Sequence, residues 1–497
     1  MPSKARIAAA LAVFLLTLGL FPSFSDGRLA VFDPFDYGER IVEVERLSED
    51  DGFVATHPNH LLFNLAVYEL SAGLDLLGFE HPGHLATRLL GALGAALCLL
   101  AVSAFAGPRQ QTFGLLCALP LVASRGFLFD AAAGESVLPA TACGLYAMAL
   151  ALRENLPIVR LTLLLFLTVA TRQDGLWFLP AIAILAGPRL GLRNTVACLG
   201  IAGALTAALY LGIWAIRSQE ESLLDYLLGL GQRTDWSLSS VLGIPPAHLM
   251  AEAFQTTLIG RFEDYGQNSL WFGGLTLVLL LGSAGLLSAH RALRLPLAIA
   301  SVLVLRVGFF LVFEPQNWEW QLPNLALLCA LIAWAARSFE GFHAPRQRLV
   351  ALLLTGLAIG SLSQHLEWTL RARQNRLQQA MRLAVDEAGD NAVLYVIGFK
   401  AERLLQHDGH DVRRIDNEGN PALPTPETLL AQARTFAQVA PASPIPVALL
   451  VDTFVRDGQP HTIRELESLL AREEFEGLPP ILEPLEFDGR LVGWLKR

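Results

Sequence analysis

Long apolar stretches separated by short polar ones fill the first 365 residues of the chain. The longer stretches cover residues 7–21, 89–105, 196–216, 271–287, 295–312 and 349–362. Shorter or interrupted ones cover residues 113–122, 138–152, 161–170, 176–186 and 322–336. A helix needs roughly 17 to 25 apolar residues to cross a bilayer. The pattern therefore predicts an α-helical, multi-pass membrane domain of about eleven transmembrane helices over residues 1–365.

The pattern becomes that of a soluble domain after residue 365. A charged helix is predicted over 364–388, followed by strands at 392–399, 412–415 and 446–455 and helices at 401–406, 426–440 and 463–475. Thr425 before Pro426, and Thr462 three residues before Glu465, are typical of helix starts. Alternating strands and helices predict a small α/β domain over residues 366–497. It contains no glycine-rich nucleotide motif, so no nucleotide is assigned to it.

Composition supports the membrane class and excludes others. The chain is 53% hydrophobic and 17% charged, with a mean hydropathy of +0.44. A soluble protein could not bury so much apolar surface in its core. The net charge of -9 arises mainly from acids in residues 26–51 and in the tail, which excludes the basic face that nucleic-acid binding requires. The cysteines all lie within apolar stretches, which excludes a disulfide framework in the aqueous parts: Cys98, Cys117, Cys143, Cys198 and Cys329.

The basic residues of the loops predict the orientation, since cytoplasmic loops are enriched in Lys and Arg. Alternate loops carry Lys4, Arg6, Arg109, Arg153, Arg160, Arg189, Arg193, Arg291, Arg294, Arg337, Arg346 and Arg348. We therefore expect a cytoplasmic N-terminus, a first outer loop at 22–85, another outer loop at 218–269 and an extracytoplasmic C-terminal domain, in a bacterial inner membrane. The residues that run against this map are Arg28, Arg40, Arg46 and Arg125.

Two segments of this map have alternative interpretations. Residues 61–78 carry Asn64, Tyr68, Ser71 and Asp75 along one side of a helix, which indicates a helix lying in the outer interface rather than crossing. The first 25 residues also resemble a cleavable signal peptide. Both interpretations of the N-terminus leave the acidic segment outside.

The first outer loop holds the most chemically suggestive group, the carboxylates Asp33, Asp36 and Glu39. A carboxylate held just beyond a membrane span could act as a general base on a substrate hydroxyl at the bilayer surface. Asp33 and Asp36 could instead cap a helix, because an Asp before Pro34, or three residues before a Glu, is common at helix starts.

Two histidine pairs flank the interface helix: His57 with His60, and His81 with His84. Such spacing suggests zinc, but a helix between the pairs would separate them by roughly 30 Å. We interpret the pairs as breaks at the two ends of the helix, and no metal site is assigned.

Two arginines are candidates for binding an anion. Arg306 falls within an apolar stretch, and Arg172 lies at an outer turn two residues before Asp174. A guanidinium binds phosphate oxygens through its planar fork. The structural alternatives are that Arg306 extends to the interface or pairs with a neighbouring helix, and that Arg172 pairs with Asp174.

The outer segment 314–320 combines aromatic, amide and acidic side chains, among them Gln316, Trp318 and Glu319. Stacking together with fixed hydrogen-bond partners suits a sugar. The alternative is a membrane anchor, since Trp is enriched at bilayer interfaces.

Four short motifs, in this order and on the predicted outer side, resemble the GT-C superfamily of membrane glycosyltransferases that use polyprenyl-phosphate sugars. They are DYGE at 36–39, HPNHLL at 57–62, ATRLLGAL at 86–93 and ATRQDG at 170–175. The resemblance extends over most of residues 1–365 in layout. It includes the protein O-mannosyltransferase-like and aminoarabinose-transferase-like branches.

The resemblance implies an inverting transfer of a hexose or pentose from a polyprenyl phosphate to a lipid, glycan or protein hydroxyl at the outer face. The base would be Asp36 or Asp33, with Glu39 as neighbour. Substrate-binding residues would include His57, His60 and Arg88. Many relatives have an adjacent Asp-Glu pair where the acids of this chain are spaced, so the choice of carboxylate stays open. No cofactor is required, although acidic loops can hold Mg²⁺ or Mn²⁺.

Two other classes of protein remain as alternatives. A transporter or lipid flippase would place broken polar helices at the midplane and show repeated halves. In this chain the polar groups gather at the predicted outer rim. A non-catalytic assembly protein would tolerate replacement of all the acids in the first outer loop.

Overall fold

The structure of the chain is a computed structural model. It describes residues 4–20, 41–42, 44, 55–79, 82–217, 223, 226, 246–259, 270–287, 293–312, 321–338, 345–371, 376–389, 393–397, 405, 412–414, 447–451, 483–487 and 490–496. The chain divides into two compact units, of which one is built mainly from Asp33–Leu370 and the other mainly from Arg371–Arg497.

The first unit is helical. Its α-helices are α1 (Lys4–Leu20), α2 (Leu61–Leu76), α3 (Pro82–Ala104), α4 (Gln111–Val122), α5 (Arg125–Ala133), α6 (Val137–Ala151), α7 (Ile158–Thr171), α8 (Phe178–Arg217), α9 (Pro246–Ile259), α10 (Leu270–Leu287), α11 (Arg294–Val312), α12 (Gln321–Ala335) and α13 (Pro345–Arg371). Short 3₁₀ helices lie at Pro58–His60, Pro108–Gln110, Gln173–Trp177 and Ala336–Ser338. Helix α3 is central and packs against α1, α2, α4, α5 and α6.

Every apolar stretch of the sequence falls on one of these helices, which confirms a helical membrane fold. Stretches 176–186 and 196–216 are the two arms of α8, which is broken at Gly191, where φ is +73°. Among the described residues, 3 helices are long and apolar enough to cross a membrane, or up to 4 if a bent pair is one span. The number of about eleven crossings therefore stays a prediction.

The bent pair is α4 and α5, whose axes differ by 84°. The break leaves the Ala123 carbonyl available to another helix, and α13 supplies the partners: His365 Nε2 lies 2.9 Å and Ser361 Oγ 3.2 Å from that oxygen. The Ser124 hydroxyl accepts from the Phe127 N–H and caps α5. Donors from neighbouring helices are what makes a broken helix tolerable inside a membrane.

The break corrects one part of the predicted map. Arg125 was expected in an outer loop, but it belongs to α5 and is buried, as is Asp130 of the same helix. The Arg125 guanidinium lies over the Phe129 ring, 5.6 Å from its centroid. Helix α5 packs in the protein core through its apolar residues, among them Phe127.

The predicted inner loops meet one another away from the predicted outer ones. Arg189 Nη1 donates to the carbonyls of Ala151 and Arg153 at 2.6 and 2.9 Å, which satisfies the end of α6. A side-chain carbon added at Gly107 would touch Arg337, so the 3₁₀ turns at Pro108–Gln110 and Ala336–Ser338 are adjacent. Loops of the same predicted sidedness therefore share one end of the helical unit.

A glycine fixes the other end of the unit. Gly134, between α5 and α6, has φ of +90°, and an added Cβ would lie 2.3 Å from the Thr87 carbonyl carbon. A Cβ at Gly91 would lie 2.5 Å from Gly134 Cα. Backbone therefore packs on backbone here, and the start of α6 is held tightly against the first turns of α3.

Helix α2 turns part of its polar side inward. Asn64 and Ser71 are buried, whereas Asp75 and Leu76 are exposed. The buried side packs against α3 and α7. The placement of α2 in the outer interface stays a prediction, but its polar residues do not all face outward.

The second unit contains a five-stranded sheet in the order β2-β1-β3-β5-β4. Its elements are α14 (Arg376–Ala388), β1 (Val393–Ile397), β2 (Val412–Arg414), β3 (Val447–Val451), β4 (Glu483–Phe487) and β5 (Arg490–Lys496). Strands β1, β2 and β3 are parallel, as the predicted alternation of strands and helices requires, and α14 packs on the sheet. The antiparallel pair β4–β5 was not predicted. The helices predicted at 426–440 and 463–475 lie outside the described residues.

Candidate functional site

A carboxylate shared by two arginines forms the centre of the candidate site. Asp174 lies in the 3₁₀ turn Gln173–Trp177, directly after α7. Its Oδ1 is 3.1 Å from Arg172 Nε, and its Oδ2 accepts from Arg306 Nη1 at 2.9 Å. The Arg306 side chain is 1% exposed and that of Asp174 13%. The carboxylate is thus the most accessible of the three charged groups.

These contacts decide between the structural alternatives for the arginines. Arg306 is buried and paired with Asp174, so its side chain does not extend to the interface. Arg172 forms the predicted ion pair with Asp174. A buried charge is retained only when it is paired and hydrogen-bonded. All three residues therefore depend on one another.

Two amides on α12 orient Arg306. Its Nε donates to Asn324 Oδ1 at 3.1 Å, and Asn324 Nδ2 donates to Gln321 Oε1 at 2.9 Å. The Arg306 guanidinium also lies over the Phe310 ring, 5.2 Å from its centroid. The plane of the guanidinium is therefore fixed by groups on both α11 and α12.

The HPNH motif joins the same network through a serine. Arg172 Nη1 donates to Ser136 Oγ at 3.2 Å, and His60 Nδ1 lies 2.7 Å from that oxygen. The His57 ring stacks on His60 with centroids 5.8 Å apart. A continuous chain of polar contacts thus joins His60 to Gln321. Its intermediate members are Ser136, Arg172, Asp174, Arg306 and Asn324.

Helix starts surround this network. Helix α6 begins after Ser136, α8 follows the turn that holds Asp174, and α12 begins at Gln321. The N-terminus of a helix carries a partial positive charge and favours anions. The arginines and the helix dipoles therefore act in the same direction, toward binding an anion.

A small cavity of about 20 Å³ adjoins the network. It is lined by Ile41, His60, Phe63, Asn64, Thr87, Gly134, Glu135 and Ser136. Ile41 is fully buried and follows Glu39 by two positions in the sequence. The cavity thus connects the chain just after the predicted carboxylates Asp33, Asp36 and Glu39 to the His60–Ser136 contact.

The structure brings together several of the residues singled out by sequence: His57, His60, Arg172, Asp174 and Arg306. Arg88 Nη2 donates to the Leu18 carbonyl at 2.8 Å, near the end of α1. The other predicted site residues lie outside the described residues: Asp33, Asp36, Glu39, Gln316, Trp318 and Glu319.

The sequence interpretation missed Ser136, Asn324 and Gln321. A polar pair at the start of an apolar helix was the available signal for Asn324 and Gln321, but such residues are common where helices leave a membrane. Ser136 directly precedes α6, a position where serine is common as a helix cap. Only the folded arrangement shows that these side chains meet the arginines.

No metal site emerges from the part of the chain that the structure describes. Within it, no three His, Cys, Asp or Glu side chains cluster closely enough to hold an ion. Within the same residues, the His57 and His60 rings stack on each other with their centroids 5.8 Å apart.

Known proteins resemble this chain in fold rather than in sequence. Neither a family model nor a curated protein matches its sequence. Solved structures match it in fold. ArnT from Cupriavidus metallidurans, an aminoarabinose transferase, matches with 13% identity and a TM-score of 0.50 over 99% of this chain and 97% of that one, and a second ArnT structure is bound to undecaprenyl phosphate.

An archaeal oligosaccharyltransferase also matches. It is AglB from Archaeoglobus fulgidus, in complex with an inhibitory peptide and a dolichol-phosphate, with 11% identity and a TM-score of 0.51 over 90% of this chain and 69% of that one. Both neighbours are GT-C membrane glycosyltransferases that use lipid-phosphate donors. The chain therefore shares the fold of these two neighbours.

Proposed function

We propose that the protein is an inverting glycosyltransferase that moves a sugar from a polyprenyl-phosphate donor to an acceptor hydroxyl at the outer face of the membrane. The observation that carries the proposal is the convergence of Arg172 and Arg306 on Asp174, in a chain with the GT-C fold. This geometry suits a phosphate that gains charge as its bond to the sugar breaks.

The arginine pair accounts for donor binding. Two guanidinium groups held by Ser136, Asp174 and Asn324 are pre-oriented, so little rearrangement is needed when an anion arrives. The solved neighbours bound to undecaprenyl phosphate and dolichol-phosphate support this class of ligand.

The acidic segment supplies the base in this proposal. Asp36 or Asp33, with Glu39 beside it, takes the proton of the acceptor hydroxyl. Two observations support this assignment. The carboxylates belong to or precede the DYGE motif at 36–39, and Ile41, two positions after Glu39, lines the cavity beside His60 and Ser136. An inverting displacement requires the base and the arginines to act on opposite sides of the sugar.

The reaction is a single displacement. The acceptor oxygen forms a bond to the anomeric carbon while the bond from that carbon to the phosphate oxygen breaks. The proton passes from the acceptor to the carboxylate, and the electron pair leaves with polyprenyl phosphate, which Arg172 and Arg306 stabilise. Attack from the face opposite the leaving group inverts the anomeric centre. Holding both substrates in line supplies much of the rate enhancement.

Sugar transfer by the purified protein tests the proposal directly. Undecaprenyl-phosphate-linked hexoses and pentoses would serve as donors, and lipid, glycan and peptide hydroxyls as acceptors. Asp36→Asn, Asp33→Asn and Glu39→Gln are compared with Asp75→Asn, which replaces an exposed carboxylate on α2. Loss of turnover in a loop variant, with Asp75→Asn active, identifies the base. Wild-type turnover in all three loop variants would overturn the acid-loop mechanism.

Donor-lipid binding tests the arginine role separately. Arg306→Gln and Arg172→Gln are expected to weaken binding of undecaprenyl phosphate to protein in nanodiscs. Arg189→Gln is the matched control, because Arg189 binds the end of α6 away from the site. Unchanged affinity in folded Arg306→Gln and Arg172→Gln would remove the phosphate role from both arginines.

The orientation is part of the same proposal. A tag after Arg497 should react with a membrane-impermeant reagent in intact cells, because the C-terminal domain is placed outside the cytoplasm. Its supports are the alternation of basic loops and the meeting of those loops at one end of the helical unit. A tag that reacts only after the membrane is opened would contradict the orientation.

A further inference from the structure

Ser136 occupies the N-cap position of α6, yet its side chain makes no capping hydrogen bond. Serine is favoured at this position because its oxygen accepts from a backbone N–H of the first turn. Ser124 at the start of α5 does so, by accepting from the Phe127 N–H. A buried serine that forgoes this bond has its hydroxyl engaged elsewhere.

The hydroxyl of Ser136 bridges two side chains of the candidate site. A guanidinium is a donor only, so Arg172 Nη1 donates to Ser136 Oγ at 3.2 Å. His60 Nδ1 is 2.7 Å from the same oxygen. The serine oxygen thus accepts from Arg172 while its second bond, to His60, fixes the direction of the hydroxyl group.

We propose that Ser136 is a positioning residue, which holds Arg172 in the orientation that binds the lipid phosphate, with His60 as the group that orients Ser136. The inference rests on the proposed function and adds a residue to it that the sequence did not reveal. The serine acts only through Arg172, and it does not itself touch the donor.

The backbone around Ser136 is built to hold this arrangement. Gly134, two residues earlier, has φ of +90° and packs directly on the Thr87 carbonyl of α3. Ser136 itself is 1% exposed. The turn therefore has little freedom to move, and the position of the hydroxyl relative to Arg172 is set by the contact between α3 and the α5–α6 turn.

The first test measures binding of undecaprenyl phosphate to the full chain in nanodiscs. Ser136→Ala is expected to weaken binding by roughly tenfold, since a hydrogen bond to a charged group is lost. Ser136→Thr keeps the hydroxyl and should restore most of the affinity. Ser124→Ala is the matched control, since it removes a true cap and should lower Tm with no change in affinity.

The second test asks whether Ser136 acts through Arg172. In an Arg172→Gln background, Ser136→Ala should cause little further loss of affinity, because the group that it positions is gone. His60→Leu should weaken binding in the wild type and have little effect when combined with Ser136→Ala. Independent, multiplying losses in these pairs would overturn the positioning role.

The outcomes separate the two proposals. If Arg172→Gln and Arg306→Gln weaken binding but Ser136→Ala does not, the positioning role is wrong and the proposed function stands. If neither arginine variant changes the affinity, the phosphate role fails and the inference about Ser136 falls with it. A loss of affinity in Ser136→Ala that Thr does not restore, with a matching fall in Tm, would identify a merely structural residue.

Discussion

Asp174 and Arg306 lie 132 positions apart in the sequence and are joined by a 2.9 Å contact between Oδ2 and Nη1. The contact links the turn after α7 to the second half of α11, and it is completed by Arg172 on one side and Asn324 on the other. Because a buried ion pair requires good geometry to offset the cost of desolvation, these helices can pack in few other arrangements.

Replacing the shared carboxylate should be costly. Asp174→Asn leaves Arg172 and Arg306 facing each other without the negative charge between them, and breaking a buried pair in this way costs about 3 to 5 kcal/mol. We expect a clearly lower Tm in a thermal unfolding assay in detergent. Asp75→Asn, at an exposed carboxylate, should unfold like the wild type, and equal Tm values for both variants would contradict the prediction.

The amide that orients Arg306 should matter for both stability and binding. Asn324→Leu removes the acceptor of Arg306 Nε and leaves a buried donor unsatisfied, which costs about 1 to 3 kcal/mol. Binding of undecaprenyl phosphate should weaken as the guanidinium loses its fixed plane. Ser363→Ala is a suitable control, because Ser363 is exposed and donates only to its own helix. Wild-type affinity and Tm for Asn324→Leu would show that Asn324 does not hold the arginine.

Alanine substitutions at three glycines distinguish the cost of backbone strain from the cost of a steric clash. Gly134→Ala combines a positive φ with a Cβ placed against the Thr87 backbone, so we expect severe loss of folded protein. Gly78→Ala has a φ of +76° but open space, and should cost about 1 to 2 kcal/mol. Gly282→Ala, in open space within α10, should be neutral or slightly stabilising. Yield and Tm give the ranking, and a Gly134→Ala protein as stable as Gly78→Ala would refute the close packing.

The partners of the broken helix should contribute to stability without contributing to binding. His365→Leu removes the donor 2.9 Å from the Ala123 carbonyl, at a cost of about 1 to 3 kcal/mol. Its Tm should fall, while its affinity for undecaprenyl phosphate should remain that of the wild type. A large change in affinity at unchanged Tm would instead place His365 within the functional site.

The helices of the first unit were predictable because the period and length of apolar stretches are local properties of the chain. The break at Ala123 was harder to predict, because Pro120 and Ser124 are only weak signals of a helix break. The charged Arg125 favoured a loop at this point. In the structure, burial of the short helix α5 outweighs its charged residues. Tertiary packing thus decided where local signals were balanced.

The network itself was predicted only in part. The pair Arg172 and Asp174 is local and was expected, and an arginine inside an apolar stretch drew attention to residue 306. The partners Ser136 and Asn324 come from other helices, and nothing in their own sequence neighbourhoods indicates an arginine. Contacts of this kind depend on the register between helices, which a single sequence does not reveal.

The unpredicted β4–β5 pair was nevertheless readable. Asp488 and Gly489 stand between alternating stretches that became β4 and β5. An Asp-Gly dipeptide in that setting is among the strongest hairpin signals. The predicted alternation of strands and helices implies parallel strands, as found for β1, β2 and β3. It therefore did not predict an antiparallel hairpin at the end of the domain.

The bonds from α13 to Ala123 limit how the chain can be divided. Although α13 contributes no residue to the described polar network, Ser361 and His365 lie in its second half. The main part of the second unit begins at Arg371. A shortened gene that stops before residue 361 would remove both donors that satisfy the broken helix, and one that stops before residue 365 would remove His365. Crystallisation or engineering of the helical unit alone therefore has to keep α13 through His365.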